Sequence, residues 1–174
     1  MSDAAALSRP SQDWKRLSAD RRLAAADAFW RDENGRAEQA EAITVIAHRI
    51  KFRTKSVIAL PIEKKARHLV ALPAVSEAVA ARLIVAYHLV HQRPMMGRFL
   101  DALGIKHEDG LIADEKVEPV SKERLATAAS TLAASSPAED VALYLSTLLW
   151  QDPETWGGLA DVPELRPNTA SSAS

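Results

Sequence analysis

Between Ser76 and Gln92 the chain carries Ala78, Val79, Ala80, Ala81, Leu83, Ile84, Val85, Ala86, Tyr87, Leu89 and Val90. At 100° per residue these side chains leave almost no polar face, and a helix that is apolar all round has to be buried among others. It is no membrane span, because Arg82 and His88 break the apolar run well short of the length required. Alanine occurs 32 times in 174 residues, glycine only 6 times, and no segment alternates with period two. Helix is favoured accordingly, since Ala loses no side-chain entropy on entering one. The expected fold is all-α, a compact irregular bundle of six to eight helices around a central apolar helix at about 76–92. A single helical domain over 11–151 is expected, with a flexible N-terminus over 1–10. Residues 152–174 hold Pro153, Gly157, Gly158, Pro163 and Pro167 and read as an extended tail, the last ten or so residues disordered.

Local signals divide the rest. Ser18 is placed to cap a helix to about Asp32 with Leu23, Ala26, Phe29 and Trp30 on its buried face, and Asn34-Gly35 reads as a left-handed stop. From Arg36 to Arg53, Ile43, Ile46, Ala47 and Ile50 form one apolar stripe, while Val45 and Phe52 lie opposite it and suggest packing on two sides. A helix at Pro61–Leu72 precedes the apolar one. Pro94 opens another, which Gly104-Ile105 ends in a Schellman motif with Ile105 contacting Leu100. Residues 106–120 read as a loop with a turn at Asp109-Gly110 and with Leu111 and Ile112 tucked onto the core. Ser121 caps a helix with the stripe Leu125, Ala128, Ala129 and Leu132. Ser136 and Glu139 form a capping box for the last helix, with Pro137 in its first position. Trp156, too large and apolar to be left on a bare tail, is expected to anchor the tail by packing back.

Charge is uneven along the chain. Residues 1–48 hold seven basic and eight acidic side chains, 49–106 eleven and three, and 107–174 four and twelve, which gives −1, +8 and −8. Lys51, Arg53, Lys55, Lys64, Lys65 and Arg67 form a candidate basic patch for an acidic partner or nucleic acid. Against this stands the ordinary reading, helix-end cations on solvated faces, balanced in part by the acidic final third. A helix-turn-helix reader built from Pro61–Leu72 and the segment after Ser76 fails on physical grounds. Its second helix would have to offer polar side chains to base edges, and it has almost none. Only Phe52 interleaves with the cations, too little for a platform on which single-stranded bases stack.

Of the five histidines, His48, His68 and His88 recur every twenty residues, and His88 and His91 share a helix face as weak metal candidates. Helix ends alternate between the poles of an up-and-down bundle, so the three cannot converge, and no Glu-x-x-His pair exists. No metal site is expected, and no cofactor motif occurs. His107-Glu108-Asp109 after a rigid helix stop is the one cluster with the residue types for acid–base chemistry, and an enzyme would be expected to line a pocket with it. The same residues serve equally as turn formers. Nucleophile elbow, P-loop and dinucleotide fingerprint are all missing. With no cysteine, a disulfide scaffold, a thiolate metal site and a cysteine nucleophile are excluded, and a cytoplasmic setting is expected. The expectation is a non-enzymatic helical module whose partner is another protein. The alternatives are a small enzyme or ligand-binding domain using the 106–112 loop, and nonspecific nucleic-acid association through the basic 49–67 segment. No membrane partner is expected.

Overall fold

Helix dominates from the first described turn to the last, as the alanine-rich, glycine-poor chain demands. The structure is a computed structural model and describes residues 7–166. Among these residues eight helices have seven or more residues and two more are single turns. The chain resolves into two compact units, one spanning Arg9–His91 and the other holding the described chain from Gln92 onward.

The first unit contains α1 (Pro10–Arg16), α2 (Ala19–Arg31), α3 (Arg36–Ile50), α4 (Thr54–Ile58), α5 (Ile62–Val70) and α6 (Glu77–His91). α6 is the apolar helix and begins where expected, with the Ser76 hydroxyl accepting the Val79 N–H at 3.2 Å. It packs against α1, α2 and α3, while α2 also packs on α5. Phe29, Ile46, Val57, Leu69, Leu83 and Ile84 are fully buried, and Phe29 meets the Trp30 ring edge-on at 5.0 Å. Leu23, expected on the buried face of α2, is 42% exposed. The inward arc of α2 is rotated away from Leu23: Ala25, Ala26, Ala28, Phe29 and Trp30 are its buried residues.

The stop after α2 is not left-handed. Gly35 has φ −99° and is the N-cap of α3. The Phe29 and Asp32 carbonyls each accept one backbone N–H at 3.3 Å, from Asp32 and Gly35, and each also accepts the Gln39 side-chain amide at 2.7 Å, so a side chain of the next helix completes the end that a left-handed residue would have closed. Gly35 is small for another reason: a Cβ there would come within 3.2 Å of the Arg82 side chain on α6. The left-handed residue falls instead at Lys51, φ 56°, which ends α3 at Ile50 through a Phe52 N–H bond to the Ala47 carbonyl at 2.9 Å. Val45 and Phe52 are consequently exposed, not packed against a second neighbour.

The second unit contains α7 (Arg93–Ala102), a hairpin of β1 (His107–Glu108) and β2 (Leu111–Ile112), α8 (Lys122–Ala133), α9 (Ala138–Gln151), the single-turn α10 (Pro153–Trp156) and two 3₁₀ turns, Gly157–Asp161 and Pro163–Leu165. α7 ends in the expected Schellman motif: Gly104 has φ 69° and the Ile105 N–H reaches the Leu100 carbonyl at 3.0 Å. α9, buried from Asp140 to Leu149, is the centre of this unit, so the chain has two buried helices where one central helix was expected. Phe99 on α7 meets Tyr144 edge-on at 5.6 Å and Trp156 at 6.1 Å. The capping box does not form. Pro137 is the N-cap of α9, and the Ser136 hydroxyl accepts from Arg98 at 2.9 Å.

Residues 152–166 are not an extended tail. The Asp152 carboxylate caps α10 by accepting the Thr155 N–H at 3.2 Å, and Trp156, Leu159 and Val162 are buried in the same cluster as Phe99 and Leu125. Trp156 thus packs back as expected. The proposed disorder of the last residues lies mostly outside the described residues, as does most of the proposed flexible N-terminus.

Leu83→Ala should cost about 2–5 kcal/mol in chemical denaturation, while Leu23→Ala should stay within about 0.5 kcal/mol. Comparable losses at the two positions would contradict the burial pattern. A second prediction concerns α1. The Glu77 carboxylate accepts the Ser11 hydroxyl at 2.5 Å and the Ser11 N–H at 3.0 Å, and these bonds hold its pKa below the ordinary glutamate value. Because the folded pKa is the lower one, the tie is complete above the unfolded value and is lost as pH falls through the folded one. Protection of the α1 amides, taken relative to the intrinsic exchange rate at each pH, should therefore fall as pH drops below the ordinary glutamate range, and Glu77→Ala should show the lower protection already at neutral pH. Identical exchange in both proteins across that range would refute the tie.

Candidate functional site

The acid–base candidates sit on the hairpin, where local chemistry sets the geometry. Asp109 and Gly110 both have positive φ, 51° and 84°, as the two central residues of a tight type I′ turn require. The loop read from sequence thus closes into an antiparallel pair, His107 opposite Ile112 and Glu108 opposite Leu111. Ile112 packs against the core of the second unit as expected, but Leu111, on the other face of a two-residue strand, is exposed.

The turn lies directly on α7. A Cβ at Gly110 would come 2.7 Å from the Arg93 carbonyl oxygen, and one at Gly97 would come 3.1 Å from Cε1 of His107. The imidazole fits over a helix position that has no side chain. Its Nδ1 accepts the Gly110 N–H at 3.0 Å, so the proton resides on Nε2, which donates to Asp101 Oδ1 at 2.7 Å. Both ring nitrogens are engaged by the protein itself. A general base needs one of them aimed at a substrate. What this arrangement does chemically is lock a turn. Asp109 pairs with Arg93 at 3.5 Å, and Glu108 is exposed. Gly97 and Asp101, the two α7 positions that hold the imidazole, were not anticipated. The only sequence trace is that both lie on the helix immediately preceding His107.

The six cations of the basic patch divide into two kinds. Lys65 is half-buried with Nζ 5.2 Å above the Trp30 ring, a cation–π contact that serves the fold of the first unit. Lys51 and Arg53 lie at the corner between α3 and α4, Lys55 on α4, Lys64 and Arg67 on α5, and all five are exposed. Among the described residues none of these five forms an ion pair. The weak metal candidates both lie near Tyr87, whose ring is 6.0 Å from that of buried His88 and 5.4 Å from that of exposed His91. Among the described residues no three His, Asp or Glu side chains converge as a metal would need.

A groove that sequence reasoning did not anticipate lies on the first unit, between α3 and the connection from α5 to α6. Ala42, Val45, Leu69, Leu72, Val75 and Val79 give it apolar walls, with Glu41, Ala74 and Ser76 completing the lining. Its cavity volume is small, about 40 Å³, and it opens to solvent. The exposed Val45, read from sequence as a packing residue, is the one signal that could have pointed here. No family model, curated protein or solved structure matches this chain.

Gly104 and Gly110 give a test of the hairpin lock. Both are left-handed, but Gly104 has open space where a Cβ would go. Gly104→Ala should cost about 1–2 kcal/mol from backbone strain alone, and Gly110→Ala clearly more, because its Cβ also overlaps the α7 backbone. Equal losses in denaturant titrations would show that the hairpin does not press on α7.

Proposed function

We propose that this chain is a non-enzymatic helical interaction module that binds another protein, and that the α3 groove on its first unit receives apolar side chains of that partner. The observation that carries this reading is the lining. A shallow, open, largely aliphatic groove with one carboxylate and one hydroxyl at hand suits anchor residues of a protein surface better than a reacting small molecule, which needs several convergent polar groups. The engagement of both His107 nitrogens supports the same reading, since it leaves the most promising acid–base cluster occupied with the hairpin. A cytoplasmic setting is part of the proposal and rests on the absence of cysteine.

Val45 is 43% exposed, so Val45→Glu places a charge at the groove without opening the core. Affinity capture from the native source with the wild-type chain should recover a specific protein, and Val45→Glu should reduce its recovery at least about thirtyfold, the effect of losing one central anchor. Equal recovery with both chains, at unchanged melting temperature, would overturn the assignment of the groove.

A further inference from the structure

From Ala42 to Ile62 the sequence contains no Asp or Glu, and Arg49, Lys51, Arg53 and Lys55 fall inside that run. The structure places the corner between α3 and α4 in the middle of this run. The left-handed Lys51 ends α3, and every residue from Lys51 to Ser56 is exposed before Val57 plunges into the core. Val57 is fully buried, whereas Ile58, about 100° further round the same short helix, is 56% exposed; Phe52 is 52% exposed. Two large apolar side chains therefore stand in water among four cations, none of which has an ion-pair partner among the described residues. Solvated cations alone would be unremarked surface, and an exposed Phe alone would be ordinary. The combination is not explained by the core of the first unit, in which neither side chain is buried.

We propose that the α3–α4 corner docks on an anionic phospholipid surface, with Phe52 and Ile58 entering the boundary between headgroups and acyl chains and with Arg49, Lys51, Arg53 and Lys55 bound to the headgroup phosphates and carboxylates. Charge complementarity selects the lipid's sign, and the two exposed apolar side chains among the cations select a surface with an apolar layer beneath its charges. The apolar pair separates lipid from nucleic acid, since a phosphate backbone rewards the cations but offers Phe52 and Ile58 nothing. Among the described residues no helix is long and apolar enough to cross a membrane. Docking requires none, because a few cations and one or two inserted apolar side chains suffice for reversible attachment. This surface is separate from the groove assigned to a protein partner, so either assignment can fail without the other.

The test is co-sedimentation of the full chain with unilamellar vesicles of phosphatidylcholine alone or with about a third of phosphatidylserine. Binding is expected to the second kind only and should weaken steeply with added salt. Each neutralised cation should lower partitioning about fivefold, so Lys51→Gln, Arg53→Gln and Lys55→Gln together should lower it about a hundredfold. Phe52→Ala should lower it about tenfold, while Leu23→Ala, which removes an equally exposed apolar side chain elsewhere on the first unit, should change nothing. All these positions are exposed, so unchanged melting temperatures identify the losses as loss of docking. Absence of binding to the anionic vesicles overturns the proposal. So does binding that ignores Phe52→Ala and is matched by duplex DNA or polyglutamate, which would mark the corner as a nonspecific polyanion or acidic-protein surface.

Discussion

Two helices, α6 and α9, have so little polar surface that neither can exist in water by itself, and each is the buried centre of one unit. α1, α2 and α3 close over α6, and α8, α10 and the 3₁₀ turns close over α9. Burying apolar surface supplies the driving force. The polar devices then fix how the covering elements run: Gln39 closes the end of α2, Glu77 ties α1 to the first turn of α6, and the Arg124 guanidinium donates to the Leu103 carbonyl at the end of α7. Each satisfies groups that helix formation leaves open and that would be costly to bury unpaired.

The hairpin shows how residue types that carry catalysis elsewhere can be used up by folding. A two-residue turn of this type needs two left-handed residues, and Asp-Gly supplies them cheaply. The turn must then lie against α7, which is possible because Gly110 and Gly97 offer no Cβ. His107 fills the space over Gly97 and joins the Gly110 amide to the Asp101 carboxylate.

What could be read from the sequence was whatever a few neighbouring residues decide. The all-α class, the Gly104-Ile105 stop, the Ser121 cap and the stripe on α8 all follow from local propensity and spacing. The stop at Asn34-Gly35 was misread because Gln39, a residue of the next helix, closes the carbonyls there, and Gly35 answers to Arg82 on α6. Val45 and Phe52 were placed inward because a two-sided stripe ordinarily means two neighbours, and sequence periodicity cannot report that the second neighbour is missing. The order in 152–166 was hidden by its prolines and glycines, which signal loops until Trp156, Leu159 and Val162 find the cluster around Phe99. The groove was illegible for a related reason, and of the α3–α4 corner only the cations Lys51, Arg53 and Lys55 could be read: which apolar side chains the fold leaves over is revealed only by the finished packing.

The burial of Trp156 against Phe99 also bears on the order in which the chain acquires structure during synthesis. Every residue of the first unit's core has been made once His91 is in place, so that core can condense early. The second unit has no such freedom. Phe99 and Leu125 are made well before the Trp156, Leu159 and Val162 side chains that cover them, and during that interval they remain open to solvent or to any chaperone at hand. The half of the protein that closes last is therefore the half most exposed to premature contacts, and translation speed through residues 126–162 becomes a property of its folding.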